Sequence, residues 1–424
     1  MKVVHLNTHD CIGGAARAAF RLHEGLRRAG EDSKMFVATK SSHDISVVQF
    51  TPSTKWSYRL LRTIRRARIT WSAARSNQVQ APVHSLISDD RSPYSSEPWS
   101  QCPEVDLLHL HWVAGFLDYG NFFHFVPEST PLVWTLHDMN PFTGGCHYDM
   151  DCGRFVAQCG ACPQLGSQKE SDFSRDVWRR KARAYRLLSR NHLHLVTPSL
   201  WLGEQLSQSS LLSQFPHSVI PYGLDTEVFQ PRSPFAMREV LGIPSDAKVI
   251  LFIADGLNDP RKGFEFLVRA LENVDFRFKT VVLSVGQGKP LDIQGLPHVH
   301  ARSIQDDQIL SFVYSCSDVF VVPSLQDNFP NTVLESMACG TPVVAFRTGG
   351  IPEAVRHNET GLLVPIGDVK LLREAVVELL ANDDKRREKS RNCRHLALKE
   401  YRLDTQAYRY LSLYREMLAK SRPG

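Results

Sequence analysis

The chain has 424 residues, of which 42% are apolar and 22% are charged, as in an ordinary globular protein. This length favours two domains over one. Lysine and arginine total 50 against 45 aspartate and glutamate, so the net charge of +5 is too small to indicate a nucleic-acid partner, and none is expected. The polar N-terminal residues and the lack of a long apolar run predict a cytoplasmic protein.

The first part of the chain alternates strand and helix patterns. A β-branched run at residues 2–6 is followed by the glycine pair Gly13-Gly14 and by a helical pattern at 15–28. Further strands are predicted at 35–38, 107–110, 132–136 and 194–197. Strand, glycine loop and helix in this order are typical of a parallel doubly wound sheet.

A second alternation of the same kind starts after a Pro/Gly turn near residue 223. Its strands are predicted at 249–254, 280–284, 319–322 and 342–345. We therefore expect an α/β protein of two doubly wound, Rossmann-like domains that face a central cleft. The expected parts are an N-terminal domain at 1–222, a C-terminal domain at 223–404, and a last helix at 405–424 that packs back toward the N-terminal domain.

The segment 323–345 is predicted to form a strand end, a loop and a helix, and it carries two carboxylates, one in the loop and one in the helix. The strand ends at Pro323, the loop carries Asp327, and Asn331 is predicted to cap a helix that has Glu335 in its first turns. The free amides and the dipole at the start of a helix favour the binding of a diphosphate, and carboxylates accept hydrogen bonds from sugar hydroxyls. The alternative is a capped, buried helix with acidic residues in solvated loops.

This segment resembles the donor-binding signature of glycosyltransferase family 4, whose members have the GT-B fold and retain the anomeric configuration. The resemblance implies that Glu335 binds the ribose hydroxyls of a nucleotide sugar and that Asp327 binds hydroxyls of the transferred sugar. It also implies donor contacts for Asn331 and Thr332 at the helix start. The family usually has glutamate at the first acidic position, where this chain has Asp327.

Two further motifs match the same family. Gly13-Gly14 resembles its first glycine loop, where backbone amides approach the donor phosphate, with a plain tight turn as the alternative. Arg261-Lys262 resembles the basic pair that neutralises the leaving diphosphate. The arginine that the family usually has five residues before this lysine is Leu257 here. Arg261 is expected to substitute for it, with a solvated surface arginine as the alternative.

Histidines follow two of the predicted strands. His137 matches the family histidine that contacts the donor sugar near its anomeric centre, with a structural histidine as the alternative. His109 and His111 are predicted to face opposite sides of their strand, one lining the cleft and the other in the core. Gly349-Gly350 resembles the second glycine turn of the family and is expected to have a loop role only.

Four of the nine cysteines cluster in an insertion at 144–163. They are Cys146, Cys152, Cys159 and Cys162, and the last two form a C-x-x-C pair. In a reducing compartment this pattern favours a structural tetrahedral zinc site. Such a site shapes the acceptor side of the cleft without taking part in the chemistry. Redox-active or merely buried cysteines are the alternative.

Residues 56–75 combine arginines with tryptophans and aliphatic residues and contain no acidic side chain. The arginines are Arg59, Arg62, Arg65, Arg66, Arg68 and Arg75. A basic amphipathic helix of this kind is typical of proteins that bind an anionic membrane surface, here the inner face of the cell membrane. A solvated helix or a disordered loop is the alternative.

Together these patterns predict a glycosyltransferase that moves a hexose-type sugar from a nucleotide-diphosphate sugar to a glycan or lipid-linked oligosaccharide, with retention of configuration. The resemblance implies a role in surface polysaccharide biosynthesis. It also implies that catalysis needs no cofactor, since Lys262 and the helix start supply positive charge. The alternatives are a non-catalytic nucleotide-sugar-binding protein and an epimerase or phosphorylase of the same fold.

Overall fold

The computed structural model describes residues 1–74 and 87–421. The chain divides into two compact units. Unit 1 comprises Met1–Pro221 together with the segment from Gln406 onward, and unit 2 comprises Tyr222–Thr405. Each unit has its own parallel sheet and its own hydrophobic core.

Unit 1 is built on a sheet that has seven strands within the described residues. They are β1 (Lys2–His9), β2 (Asp32–Thr39), β3 (Val47–Gln49), β4 (Leu107–Leu110), β5 (Leu132–Thr135), β6 (Leu193–Thr197) and β7 (His217–Val219). The spatial order is β3-β2-β1-β4-β5-β6-β7, and neighbouring strands run parallel. Strands β4, β5 and β6 are buried along their whole length, as expected of a parallel sheet covered on both faces.

Helices connect these strands. Those of the described part of unit 1 are α1 (Gly14–Arg28), α2 (Trp56–Ala74), α3 (Glu97–Ser100), α4 (Tyr119–Phe125), α5 (Phe173–Tyr185) and α6 (Leu200–Gln208). Short 3-10 turns lie at Asn140–Phe142, Arg154–Val156 and Pro163–Leu165. Helix α1 buries Leu22 and Leu26 against β1 and β4. It ends in Arg27 and Arg28, whose positive charges interact favourably with the negative end of the helix dipole.

Unit 2 has a sheet of six strands in the order β10-β9-β8-β11-β12-β13. They are β8 (Lys248–Gly256), β9 (Thr280–Gln287), β10 (His298–Ala301), β11 (Val319–Val322), β12 (Val343–Phe346) and β13 (Gly361–Val364). Its helices are α7 (Phe235–Val240), α8 (Phe264–Leu271), α9 (Asp307–Ser315), α10 (Asn331–Ala338), α11 (Ile351–Ala354), α12 (Val369–Ala381) and α13 (Asp383–Glu400). A 3-10 turn at Pro260–Lys262 precedes α8.

The last helix, α14 (Leu403–Ser421), joins the core of unit 1. Tyr410 and Tyr414 are fully buried there. The Tyr414 hydroxyl lies 2.6 Å from His109 Nδ1, and the Tyr410 hydroxyl lies 2.8 Å from Thr135 Oγ1. These hydrogen bonds fix the helix against β4 and β5.

In each sheet the strand order reverses beside the first strand of the unit. The reversal lies between β1 and β4 in unit 1 and between β8 and β11 in unit 2. Doubly wound sheets bind ligands at the carboxyl ends of the strands next to such a reversal. The predicted fold class of two parallel-sheet, doubly wound α/β domains is confirmed.

Candidate functional site

The predicted donor residues of unit 2 lie on the two loops beside its strand-order reversal. Arg261 and Lys262 follow β8, and Asp327 follows β11. The backbone of the two loops is joined, because the Leu325 amide donates to the Arg261 carbonyl at 2.8 Å. The topology thus brings together side chains that are 65 positions apart in the sequence.

The buried residue Asp327 is the centre of a partly buried ion-pair cluster. Its Oδ2 atom lies 2.6 Å from Lys262 Nζ and 3.6 Å from Arg261 Nη1. Arg261 also donates to the Gln326 carbonyl at 2.9 Å and pairs with Asp259 at 3.3 Å. Arg261 is therefore part of the cluster rather than a solvated surface group. Leu257, by contrast, packs in the hydrophobic core of unit 2.

Two glycines allow the loops of this cluster to approach each other. A Cβ atom added to Gly263, which has a φ of 73°, would lie 1.9 Å from the Pro323 carbonyl oxygen. A Cβ atom added to Gly349, which has a φ of 54°, would lie 1.7 Å from the Asp327 carbonyl oxygen. The Gly350 amide donates to that same oxygen at 3.1 Å. The Gly349-Gly350 turn therefore holds the backbone of Asp327, which is more than the loop role that the sequence predicted.

Asn331 does not cap α10, and this prediction was wrong. An N-cap residue needs non-helical backbone angles, and those angles occur at Pro330, which has a φ of −67° and a ψ of 124°. Asn331 is instead the first residue of the helix, and α10 has no side-chain cap. Asn331 is buried and Thr332 is half-buried at this helix start. The N-cap residue Pro330 therefore gives the first-turn amides of α10 no side-chain hydrogen bond.

Glu335 lies in the second turn of α10 and is only 2% exposed. Its Oε2 atom accepts a hydrogen bond of 2.9 Å from the hydroxyl of Tyr314, a fully buried residue of α9. Tyr314 therefore orients the carboxylate that the sequence assigned to ribose binding. Sequence reasoning missed Tyr314, because it lies 21 positions earlier on a different helix.

Gly13 and Gly14 begin α1, on the loop that follows β1 in unit 1. Gly13 has a φ of 90° and occupies the N-cap position without a side-chain hydrogen bond. The buried carboxylate of Asp10 supports this loop by accepting from the amides of Ser41 and Ser42 at 2.7–3.0 Å. Sequence reasoning missed Asp10, because Ser41 and Ser42 follow β2 and lie 31 and 32 positions later in the sequence.

His109 and His111 lie on the same face of the sheet, so the prediction that they face opposite sides was wrong. Side chains of a strand alternate with a period of two, and residues i and i+2 therefore share a face. The two ring centroids are 4.0 Å apart, and both residues are buried. Neither histidine is exposed at the carboxyl edge.

His137 lies two residues after β5 and is 8% exposed. Its Nε2 atom is 3.0 Å from Nδ1 of His111. Burial lowers the pKa of His137 to about 4, against the opposite effect of the Asp138 charge. His137 is therefore neutral near pH 7.

A buried polar network holds the segment that follows His137. Asp138 Oδ2 lies 2.6 Å from His147 Nδ1, and His147 Nε2 lies 2.8 Å from Ser88 Oγ. Lys181 of α5 is fully buried and donates to the Thr143 carbonyl at 3.2 Å. Burial lowers the pKa of Lys181 to about 8. Sequence reasoning missed these residues, because a buried lysine has no local signature.

The four clustered cysteines line one pocket of unit 1 together with Gly144, Asp149 and Gly160. Cys159 Sγ accepts from the Gly144 amide at 3.1 Å, and burial raises the pKa of the Cys159 thiol to about 11. All four are free thiols. Within residues 1–74 and 87–421, the cysteine sulfurs form no group of three ligand atoms that lie within 4.8 Å of one another. Such a group occurs instead at His5, His109 and His111. A tetrahedral zinc site needs sulfurs about 3.8 Å apart, given Zn–S bonds of about 2.3 Å.

Helix α2 presents an apolar stripe to solvent. The stripe consists of Trp56, Leu60, Ile64 and Trp71, which share a face at 100° per residue and are all exposed, Trp56 to 77% and Trp71 to 61%. The exposed Arg59, Arg66 and Arg68 flank this stripe.

The opposite face of α2 packs on unit 1. Arg62 Nη1 lies 2.8 Å from Glu97 Oε2, and Arg65 pairs with Asp118. These two arginines therefore attach the helix to its own unit, whereas Arg59, Arg66 and Arg68 lie at the surface. Arg75, the last arginine of the predicted segment, lies outside the described residues. Among the described helices, none combines the length and the apolar character that crossing a membrane requires.

Known proteins resemble part of the chain in sequence. Residues 247–382 match the family described as Glycosyl transferases group 1. The D-inositol 3-phosphate glycosyltransferase of Saccharomonospora viridis is 34% identical over 224 residues, which are 47% of this chain and 50% of that protein. The chain spans about half the length of the curated relatives it matches.

Solved structures cover nearly the whole chain. Sucrose-phosphate synthase from Thermosynechococcus elongatus has a TM-score of 0.67 at 20% identity, over 99% of this chain and 100% of that one. Anabaena HepE in complex with UDP-glucose has a TM-score of 0.64 at 16% identity, over 98% of this chain and 100% of that one. The chain therefore has the GT-B fold of glycosyltransferases, and its residues 247–382 are similar to the group 1 glycosyl transferases.

Proposed function

We propose that the protein is a retaining glycosyltransferase that transfers a hexose-type sugar from a nucleotide-diphosphate sugar to a glycan or lipid-linked acceptor. The observation that carries the proposal is the cluster of Asp327, Lys262 and Arg261. It lies at the strand-order reversal of unit 2, directly before the uncapped start of α10. The match of residues 247–382 to group 1 glycosyl transferases supports the same function.

Each residue of the site has a role in this proposal. The diphosphate binds the first-turn amides of α10, at Asn331 and Thr332, because an uncapped helix start attracts anions. Glu335 accepts hydrogen bonds from the ribose, and Asp327 accepts them from the transferred sugar. To the residues of unit 1 we assign the contacts that the family resemblance implies: Gly13 and Gly14 with the phosphate, and His137 with the sugar.

The proposed reaction exchanges one bond at the anomeric carbon for another on the same face of the sugar. The bond to the diphosphate oxygen breaks and a bond to the acceptor oxygen forms. The acceptor hydroxyl proton goes to an oxygen of the departing diphosphate, so no protein base is required. Lys262 and Arg261 stabilise the charge that develops on this leaving group, since fixed cations act strongly where charge appears.

The acceptor class that we propose is a lipid-linked or surface glycan, as in surface polysaccharide biosynthesis. The apolar stripe of α2 and its flanking arginines support this acceptor class. Tryptophan and arginine together favour an anionic membrane surface, where a lipid-linked acceptor would lie. D-inositol 3-phosphate, named in the curated relatives, is the second acceptor to test.

We also propose that the four cysteines bind one structural zinc ion. All four side chains line the same pocket, which supplies the four thiolates that zinc prefers. Binding would draw the sulfurs together, and the bound metal would stabilise the fold of residues 144–163 without entering the reaction.

The experiment that tests the main proposal measures donor binding and turnover together. A thermal-shift screen starts with UDP-glucose, which HepE binds, and extends to other nucleotide sugars. A bound donor is expected to raise the unfolding temperature, because a ligand stabilises the state that it binds. With acceptor present, nucleotide is released, and NMR of the product shows the anomer of the donor.

The alternatives give different results in the same experiment. Donor binding without turnover on any acceptor would favour a non-catalytic binding protein. Nucleotide release that needs no glycan, no lipid-linked acceptor and no D-inositol 3-phosphate would favour an epimerase or phosphorylase. A product of inverted configuration would contradict the proposed retention. A Lys262→Ala variant with unchanged turnover would contradict the proposed site.

A further inference from the structure

Three buried histidines of unit 1 form a continuous chain of hydrogen bonds. His5 Nδ1 lies 2.9 Å from His111 Nε2, and His111 Nδ1 lies 3.0 Å from His137 Nε2. The chain runs from the interior of β1, past the end of β4, to the segment after β5. It therefore connects the sheet interior to the carboxyl edge, where doubly wound sheets bind ligands.

A metal ion does not account for this cluster. His5, His109 and His111 bring three ligand atoms within 4.8 Å of one another. However, both ring nitrogens of His109 are already bonded, one to Tyr414 and the other to Thr135. Both nitrogens of His111 are bonded as well. A metal would have to break several of these hydrogen bonds in a fully buried site.

Each imidazole of the chain carries a single ring proton. Burial lowers the pKa of His5 and His111 well below its ordinary value, and it lowers that of His137 to about 4. A neutral imidazole donates through one nitrogen and accepts through the other. All bonds of the chain must therefore point the same way, either toward His137 or toward His5.

The far end of the chain decides between these two directions. His5 Nε2 is buried and has no hydrogen-bond partner among the described residues. If the bonds pointed toward His5, this atom would be a buried N–H without an acceptor. If they point toward His137, it is only an unused lone pair. Orphaned buried N–H groups are rarer in proteins than under-used acceptors, so the bonds point toward His137.

We propose that His5 and His111 are positioning residues that hold His137 in the tautomer protonated at Nδ1. His137 then accepts through Nε2 and donates only through Nδ1. Only the effect of this tautomer on turnover rests on the proposed function, in which His137 contacts the donor sugar. The tautomer itself is a property of the protein without donor.

The direct test is NMR of the full chain with isotope-labelled histidine rings, without donor, near pH 7. A His137→Gln spectrum identifies the His137 signals. We expect a protonated Nδ1 and an unprotonated Nε2. Protonation of His137 at Nε2 in the unmodified protein would overturn the proposal. As a matched control, His194→Leu removes a buried strand histidine that bonds Ser218 instead, and the His137 signals should not change.

Turnover gives a second readout that a merely structural role would not produce. His111→Leu removes the donor to His137, and we expect kcat/KM to fall roughly three- to tenfold, the usual value of one uncharged hydrogen bond. His111→Gln restores an N–H donor and should recover most of this loss, whereas equal losses in both variants would contradict the relay. If the unmodified protein shows no turnover with any donor and acceptor while His137 carries its proton on Nδ1, the proposed function fails and the tautomer assignment stands.

Discussion

At the scale of single residues, the carboxylate of Asp327 is placed by its backbone as much as by its charge partners. Its carbonyl oxygen accepts a hydrogen bond from the Gly350 amide, and its carboxylate forms ion pairs with Lys262 and Arg261. Moving the backbone would separate the carboxylate from both cations. The glycine turn after β12 therefore controls the geometry of a charge cluster formed by other loops.

The first prediction concerns Gly349→Ala. A methyl group at this position meets the Asp327 carbonyl at 1.7 Å, so the loop that carries Asp327 must shift. We expect kcat/KM for the donor to fall at least about tenfold, since that ratio corresponds to about 1.4 kcal/mol. Gly242→Ala is the matched control, because Gly242 has a φ of 66° and an added Cβ meets nothing within 4 Å. Similar activity in both variants would show that Gly349 does not position Asp327.

The second prediction separates the charge of Glu335 from its packing. Glu335→Gln keeps a carbonyl oxygen for the Tyr314 hydroxyl but removes the negative charge. A hydrogen bond to a charged group contributes about 1.5–3 kcal/mol, so donor affinity should fall roughly 10- to 100-fold. Titration calorimetry with the best donor measures this change.

Tyr314→Phe is the companion variant. It removes one orienting hydrogen bond and leaves the Glu335 charge in place. The loss of donor affinity should therefore be smaller than for Glu335→Gln. If Glu335→Gln binds donor like the unmodified protein, the ribose does not bind at Glu335.

At the scale of elements, the cysteine segment and α2 each give one prediction. The purified protein should contain about one zinc ion per chain, and Cys159→Ser or Cys162→Ser should remove it and lower the melting temperature, because a structural metal contributes its binding energy to folding. Cys102→Ser, outside the cluster, is the control. Metal analysis that finds no zinc in protein prepared without chelator would leave the four thiols as buried cysteines.

Helix α2 should bind vesicles that contain anionic lipid more tightly than neutral vesicles. Reversing Arg59, Arg66 and Arg68 to glutamate should release the protein, since each basic residue near such a surface contributes on the order of 1 kcal/mol. Arg62 and Arg65 are left unchanged, because their ion pairs with Glu97 and Asp118 hold the helix in place. Cosedimentation at two salt concentrations measures the binding.

The control for this variant carries the same change of charge on another helix. Arg387, Arg391 and Lys399 are exposed basic residues of α13, and their reversal to glutamate should leave vesicle binding nearly unchanged. Equal binding to neutral and anionic vesicles would identify α2 as an ordinary solvated helix.

The elements that the sequence predicted well are the long or strongly apolar ones. The strands at 107–110 and 319–322 are continuous apolar runs, and α1 has a clear helical period. Short strands at the sheet edges were not predicted: β10 is a partly buried segment with two histidines, which gives little apolar signal. The side-chain pairs of the site were not predictable either, because Lys262 meets Asp327 only through the strand order of unit 2.

At the scale of the whole molecule, the two units can be followed separately in one experiment. All seven tryptophans lie in unit 1, between Trp56 and Trp201. Tryptophan fluorescence therefore reports the unfolding of unit 1 alone. The same unit contains His23, His137 and His194, whose pKa burial lowers to about 4, so tryptophan fluorescence follows the unit in which these histidines lie.

The last prediction is that unit 1 loses stability as the pH falls from about 6.5 to about 4. Burial lowers the pKa of His23, His137 and His194 to about 4, whereas an unfolded histidine has a pKa of about 6.5. Between these values the unfolded state binds more protons, so the free energy of unfolding decreases by up to about 1.4 kcal/mol per pH unit for each such histidine. Asp90 acts in the opposite direction, because burial raises its pKa to about 6, but it is one group against three.

Urea unfolding followed by tryptophan fluorescence at pH 7.5, 6 and 5 measures this change. The midpoint should fall steadily with pH, and His194→Leu should make the fall less steep, since one fewer buried histidine must take up a proton on unfolding. The matched control is His124→Asn, at an exposed position of α4, which should leave the slope unaltered. A midpoint that is equal at pH 7.5 and pH 5 would mean that the buried histidines titrate alike in the folded and unfolded chain.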